Sequence, residues 1–258
     1  MTPIEFRAGP HAVPTGQLTE SNPRRSYPLS VTYPADATAT TYLFTLRGKV
    51  NTPTVADARE LHNKTAGSAD GIAAARALGD LSHNVYTSAG NTAGSDEVLI
   101  IDYWNSPSGF GQFFADPQVQ AGAELLFTER EGILWAPTSG FGDFHLALPS
   151  GASPAAVGLL RAAVASPEAA AAAFNAYAAA TINTARKYGQ IAHATWSRRP
   201  NPGETISPEV IGVDLWIDAD QMNAYYQLGI GFEHFGPVFA DGPQTSVWQA
   251  AEGQWTEW

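Results

Sequence analysis

Six histidines and no cysteine set the side-chain chemistry open to this chain. Without a thiol there is no thiolate nucleophile, no disulfide, no cysteine-held zinc and no iron–sulfur cluster. Imidazole remains, and it exchanges a proton near neutral pH. His234 lies in Phe232-Glu233-His234-Phe235. Its ring suits proton abstraction from an acidic phenol or C–H, with Tyr226 or Asp214 assisting. The plainer reading is a surface histidine on a helix. His83 and His193 each stand four residues after a glycine, Gly79 and Gly189. Strand alternation places His83 with Leu81 and Val85, and His193 with Ile191 and Thr195. A histidine on an apolar strand face is either a satisfied core residue or a site residue, and recurrence in two places favours a role in the fold. His62-Asn63 is a polar pair near a helix break. It either orients a substrate carbonyl or ties the break to the backbone. Asp102 and Asp214 sit at matching strand positions; buried, each needs a partner, and a histidine is one candidate. Trp104, Trp216, Tyr103, Trp196, Phe113 and Phe114 either line a space for a flat apolar ligand or form core.

Two copies of one pattern position these residues. Leu78-Gly79-Asp80-Leu81-Ser82-His83-Asn84-Val85-Tyr86-Thr87 matches Tyr188-Gly189-Gln190-Ile191-Ala192-His193-Ala194-Thr195-Trp196-Ser197. Glu97–Trp104 matches Glu209–Trp216, and Trp135 matches Trp248. The offsets are 110, 112 and 113 residues, so order and spacing are both kept. Such internal similarity is the signature of a repeated supersecondary unit. Each copy reads β-α-β-β-α-β. In the first, Tyr42–Arg47 is a strand, Thr54 caps a helix interrupted at Gly67 and ended by Gly79, and Leu81–Thr87 and Val98–Trp104 form a hairpin. A helical stretch over Gly109–Phe127 and a strand over Gly132–Ala136 complete it. In the second, Phe144–Leu148 is the expected first strand. Ser166-Pro167 opens a helix that Gly189 ends, with Arg186 and Lys187 in its last turn. Ile191–Ser197 and Val210–Ile217 are strands, residues 218–240 are helical with a break near Gly229–Gly231, and Ser246–Gln249 closes the sheet. A four-stranded sheet with helices on one face leaves an apolar face bare, and pairing two such sheets buries both. The expected organisation is an extended Pro-rich arm over residues 1–37, a first ferredoxin-like repeat over 38–140 and a second over 141–258. Together they make an α+β fold, two βαββαβ repeats packed sheet to sheet as a single-chain α+β barrel.

Composition bounds the partners. Hydrophobic residues are 44% and charged residues 15%, enough for a sizeable core. The net charge of −11 opposes binding to nucleic acid or anionic lipid. No apolar run is long enough to span a membrane, and the first ten residues lack a signal-peptide pattern, so a cytoplasmic location is expected. Alanine-rich runs such as Ala169–Ala173 suit a GC-rich bacterial source. There is no G-x-G-x-x-G or phosphate-cradling loop, no G-x-S-x-G and no H-E-x-x-H. Nicotinamide, flavin by the common fold, ATP and serine hydrolysis are disfavoured.

Asp102-Tyr103-Trp104-Asn105-Ser106-Pro107, followed by Phe113-Phe114-Ala115-Asp116-Pro117, resembles the dimeric α+β barrel superfamily, where a strand ends in an aromatic residue and a helix with a mid-helix break follows. Asp214-Leu215-Trp216-Ile217-Asp218-Ala219-Asp220, then Phe232-Glu233-His234-Phe235, is similar to the same stretch of its antibiotic-biosynthesis monooxygenase branch. The resemblance runs from Thr41 onward. It implies a histidine on the second helix pointing into the barrel as general base or haem ligand, and His234 is the matching position. The first copy has Gln118–Gln120 there, so only one half would be active. The superfamily holds cofactor-free oxygenases, haem-degrading enzymes, isomerases, polyketide cyclases and haem-dependent dehydratases, and fold does not select among them.

Three functions follow as expectations. The first is a small-molecule enzyme without organic cofactor, monooxygenase-like or cyclase/isomerase-like, acting on an aromatic or polyketide-like substrate. Its catalytic set is His234, Tyr226 and Asp214, with Trp216, His193, Trp104, His83, His62, Asn63 and Phe113 against the substrate. The second is a haem enzyme with His234 or His193 as axial ligand. The third is a non-catalytic ligand-binding barrel. A fused repeat removes the usual reason to dimerise, so a monomer or a homodimer is expected, without nucleic acid or membrane.

Overall fold

The computed structural model describes residues 40–88, 96–145, 154–201, 203–236, 238–239 and 242–258. The expected N-terminal arm lies outside them.

In the N-terminal half, strand β1 (Tyr42–Val50) runs antiparallel between β3 (Glu97–Trp104) and β4 (Phe127–Pro137), and β2 (Asp80–Ser88) flanks β3. In the C-terminal half, β6 (Ala156–Ala163) runs antiparallel between β8 (Glu209–Trp216) and β9 (Gln244–Ala250), and β7 (Gln190–Arg198) flanks β8. The spatial orders, β4-β1-β3-β2 and β9-β6-β8-β7, correspond strand for strand. Two seams join them. Tyr86–Ser88 of β2 pairs with Trp248–Ala250 of β9, and Trp135–Pro137 of β4 pairs with Trp196–Arg198 of β7. Eight antiparallel strands therefore close into a barrel. A two-residue strand, β5 (Phe144–His145), adds to β7.

Helices cover the outside of this barrel. Between β1 and β2 run α1 (Val55–Lys64) and α2 (Ala69–Ala77), with Thr54 accepting from the Asp57 amide at 3.1 Å and Ser68 from the Gly71 amide at 3.1 Å. The break falls at Gly67, as its sequence suggests. Between β3 and β4, α3 (Pro107–Ala115) and α4 (Pro117–Leu126) meet at Asp116, which caps α4 ahead of Pro117. In the C-terminal half α5 (Pro167–Lys187) is one unbroken helix capped by Ser166, and α6 (Ala219–Tyr226) is followed by a 3-10 turn at Phe232–His234. Gly79 and Gly189 end their helices with φ of +102° and +89°, a region L side chains avoid.

Two sequence expectations change. Phe144–Leu148 is not the first strand of the second half: Phe144–His145 is the short β5, 146–148 fall outside the described residues, and β6 takes that place. Ala156-Val157-Gly158-Leu159-Leu160-Arg161-Ala162-Ala163 is rich in helix formers, and pairing on both edges overrides that preference. A bulge in β7 against Trp216 and Leu215 also shifts the alternation. Ile191 joins Ala192, Ala194 and Trp196 in the barrel interior, so His193 does not share its face.

Alternation then sorts the sheet into two layers. Leu43, Leu99, Ile101, Trp135, Val157, Val213 and Trp248 fill the interior. Residues of opposite parity face the helices: Phe44, Ile100 and Trp104 in the N-terminal half, and Val210 and Trp216 in the C-terminal half. His83, Asp102, His193 and Asp214 belong to this helix-facing layer.

Candidate functional site

His83 lies opposite Asp102 on β2–β3, and His193 lies opposite Asp214 on β7–β8. Both histidines are buried, and each turns Nδ1 to its aspartate, at 2.8 Å for His83–Asp102 and 2.5 Å for His193–Asp214. The two pairs then diverge at Nε2.

In the C-terminal half, Asp214 also accepts from the Tyr226 hydroxyl through Oδ2 at 2.8 Å. Asp214 accepts both bonds, from His193 Nδ1–H and Tyr226 O–H, which leaves the His193 lone pair on Nε2. That Nε2 is buried without a hydrogen-bond partner. It lines a cleft with Tyr177, Phe174, Phe232, Phe235, Asp214 and Tyr226. The cleft has a volume of about 450 Å³, the solvent at its open mouth included. Tyr177 and Tyr225 share a bond between hydroxyls at 2.9 Å. Burial pushes the phenols of Tyr177, Tyr225 and Tyr226 up, and the Asp214 charge adds to this, so all three stay protonated donors.

Two glycines make the room. A Cβ on Gly158 would collide with the Tyr226 hydroxyl, and one on Gly212 would come within 2.7 Å of the Phe174 ring. By register Gly158 faces Asp214 as Phe44 faces Asp102, and Gly212 faces Leu160 as Ile100 faces Leu46. In the N-terminal half the Phe44 ring therefore occupies the equivalent space, packed on Phe110 at 4.9 Å and Phe114 at 4.8 Å.

There the Nε2 of His83 is also taken. It meets His62 Nε2 at 2.9 Å, and His62 Nδ1 meets Asn63 Oδ1 at 3.1 Å. The Asn63 amide is oriented by its neighbours, since Oδ1 accepts from the Thr256 amide at 2.8 Å and Nδ2 donates to the Gln254 carbonyl at 2.7 Å. His62 Nδ1–H must then donate to Asn63, so neutral His62 accepts at Nε2 from His83 Nε2–H. The last proton sits between His83 Nδ1 and Asp102. Burial lowers His62 to about 3, with His83 adding to the effect, and lowers His83 to about 4. Burial raises Asp102 as well. The proton rests on Asp102 and the whole chain is neutral. Trp258 stacks on His83 at 4.5 Å and donates Nε1–H to Asp80. Both ring nitrogens of His62 and of His83 are taken, a structural arrangement rather than an open site.

The residues singled out from sequence thus separate. Asp214, Tyr226 and His193 come together. His62, Asn63 and His83 come together, but around a filled space. Trp104 packs on Phe110, Phe113 and Phe114, and Trp216 packs on Tyr225 and Tyr226. These tryptophans and Phe113 line neither wall of the cleft. His234 does not reach it: Phe232 and Phe235 face inwards, while the His234 side chain is 33% exposed beside Glu233. The turn is too short for residues two apart to share a face. Tyr177 and Gly158 were not singled out from sequence. Gly158 stands out only once β6 is known to be a strand opposite Asp214.

A haem would need an axial nitrogen and room for its ring. His193 Nε2 supplies the nitrogen, but Phe174, Tyr177 and Phe235 fill the space a macrocycle would take, so these residues as arranged do not fit it. Among the described residues no cluster of histidine and carboxylate side chains has metal-binding geometry, and no helix is long and apolar enough to cross a membrane.

No protein-family model and no curated protein matches the chain. Solved structures do. An anthrone oxidase-like protein aligns at 14% identity over 85% of this chain and 94% of its own, with a TM-score of 0.57. A candidate monooxygenase from Lactobacillus acidophilus aligns at 11% identity over 81% and 93%, with a TM-score of 0.53. A chlorite dismutase from Candidatus Nitrospira defluvii aligns at 9% identity over 82% and 91%, with a TM-score of 0.50. At such identities the likeness is one of fold alone, and the shared fold is an α+β barrel.

Proposed function

We propose that this chain, built on the dimeric α+β barrel fold, is a small-molecule enzyme that removes a proton with His193 and needs no organic cofactor. The observation that carries this reading is the buried, unpartnered Nε2 of His193 in the cleft, backed through Nδ1 by Asp214. A histidine with a free Nε2 and a carboxylate on Nδ1 is a general base held in one tautomer. Asp214 stabilises the imidazolium that forms, and Tyr226 keeps Asp214 from turning away. Tyr177 stands in the same wall as a phenol that stays protonated and can donate to a developing oxyanion.

The walls suit a planar phenolic substrate. Phe174, Phe232 and Phe235 offer ring faces, and the hydroxyls lie on one side. Phe174, Tyr177 and Phe235 would have to part to admit an anthrone, the compound class in one structural neighbour's name, but it meets the chemical demand: its ring CH₂ is acidic because the carbanion is delocalised onto the carbonyl oxygen. Loss of that proton to His193 gives an electron-rich carbanion. Reaction with dioxygen converts CH₂ and O₂ into C=O and H₂O, with the substrate oxidised and dioxygen reduced. Reprotonation at another atom would instead make the enzyme an isomerase or cyclase.

We read residues 38–140 and 141–258 as two copies of one unit, of which only the second keeps an open site. The matching strand orders and the matched histidine–aspartate registers support this. Phe44 and Ile100 replace Gly158 and Gly212, and His62 replaces Phe174.

Oxygen uptake with an anthrone tests the reading. His193→Ala and Asp214→Asn are expected to lower kcat/KM by roughly 10²–10⁴-fold, the usual range for a general base, with the fold intact by circular dichroism. His234→Ala should leave it within about 2-fold. Full turnover by His193→Ala would sink the proposal. A haem titration giving one equivalent of bound pigment would move the chemistry to haem.

A further inference from the structure

The segment after β4 crosses onto the C-terminal half, and the segment after β9 crosses onto the N-terminal half. Each passes over the other half's buried histidine, and the fastenings correspond. Asn63, one residue after His62 on α1, accepts from the Thr256 amide and donates to the Gln254 carbonyl. Asn175, one residue after Phe174 on α5, accepts from the Gly142 amide at 2.9 Å and donates to the Gly140 carbonyl at 2.8 Å. Two residues beyond the second clasped position each segment pairs with the histidine strand. Trp258 exchanges both backbone bonds with His83, and Phe144 pairs opposite His193. Each also lays aromatic rings against the imidazole: Trp258 on His83 at 4.5 Å, and Phe141 and Phe144 on His193 at 5.2 and 6.3 Å.

We infer that each half holds the histidine of the other through this strap, and that Asn175 is the positioning residue of the His193 site. Asn175 touches no substrate. It fixes residues 140–142, and these seat Phe141 edge-on and Phe144 tilted against the His193 ring. The ring is thereby kept at the angle at which Nδ1 meets Asp214 and Nε2 meets the cleft. Among the described residues the N-terminal site's strap is further tied by Trp258 to Asp80, Glu257 to the Val85 amide and Arg59 to the Glu252 carbonyl. The strap over His193 is further tied by the short β5 pairing, the Thr138–Ser197 hydroxyl bond and the Thr138 amide on the Thr195 carbonyl. Asn175 holds the segment that carries Phe141 and Phe144, so loosening it should be felt at the site.

The inference rests on His193 being the functional base, but its test does not depend on turnover. The imidazole N–H signals of His193 and His83 are followed by NMR in Asn175→Ala and Asn63→Ala. The rate at which diethyl pyrocarbonate modifies each histidine is followed by mass spectrometry, with half-exposed His234 as internal standard. Asn175→Ala is expected to lose or broaden the His193 signal and speed its modification at least 10-fold, leaving His83 unchanged. Asn63→Ala should do the reverse. Equal changes at both histidines in either variant would mean general loosening and overturn the inference, as would no change at His193. Should Asn175→Ala not fold, Gly142→Cys/Asn175→Cys in this cysteine-free chain replaces the clasp with a disulfide. Slower modification of His193 when oxidised than when reduced supports the strap, and equal rates overturn it. If His193→Ala keeps full turnover while these results hold, the proposed function falls and the strap stands.

Discussion

A single side chain decides whether each histidine–aspartate pair is an open base or a sealed contact. At the N-terminal pair that side chain is His62, and at the C-terminal pair the corresponding place holds Phe174. Phenylalanine offers no nitrogen, so His193 Nε2 stays free. The sealed cluster has a pH signature. His62 and His83 are held near 3 and near 4 by burial, against an ordinary value of 6.5. Below 6.5 the unfolded chain takes up protons that the folded chain refuses. Stability from this cluster is thus complete above about pH 6.5 and falls as pH drops towards about 3–4, by up to about 1.4 kcal/mol per pH unit for each histidine. Asp80 works in the opposite sense: burial above all raises it to about 9, so it favours the fold most below pH 4 and loses this as pH climbs to 9. His62→Phe should weaken the acid dependence between pH 6.5 and 4 and free His83 Nε2, as at His193. Urea unfolding across that range checks this; an unchanged slope would count against His62 as a titrating group.

At the scale of elements, β6 is the informative strand. It pairs with β8 in the register that β1 uses with β3, yet carries glycine where β1 carries phenylalanine. Gly158 lets α6 bring the Tyr226 hydroxyl down onto the sheet, within reach of Asp214. Gly158→Ala would push that hydroxyl away. The expected result is a loss of about 10-fold or more in kcat, with a stability cost of about 1–3 kcal/mol from overpacking. Kinetics beside a thermal melt separate the two effects. Wild-type kcat in the variant would show that Tyr226 does not need this seat. The helix breaks belong to this scale too: Gly67 was legible as an interruption, whereas the break at Asp116-Pro117, inside the stretch read as helical over Gly109–Phe127, was implied only by the family resemblance.

For the whole molecule, closure of the barrel within one chain is what matters. The seams β2–β9 and β4–β7 join the halves, and both apolar sheet faces meet inside around Trp135 and Trp248. Among the described residues every barrel strand is paired on both sides over at least part of its length, which limits the edge open to a second copy. A monomer near 27.4 kDa is therefore expected in solution, checked by light scattering at several concentrations. A stable dimer would mean that some other surface associates.

What could be read in the sequence was local or periodic. The matched segments, their strand alternation, the caps and the helix-ending glycines each depend on residues close in the chain, so fold class and element order were legible without coordinates. The pairing of His193 with Asp214 was half legible, through two equally spaced matches on neighbouring strands. What remained hidden depended on contacts across long separations. A strand bulge moved Ile191 into the interior, a helix former's composition concealed β6, and Phe232 and Phe235 took the inward positions that left His234 outside. The strap is the clearest case. Asn63 meets Thr256 and Asn175 meets Gly142 only because the barrel closes, and no spacing along the chain announces a contact that closure alone creates.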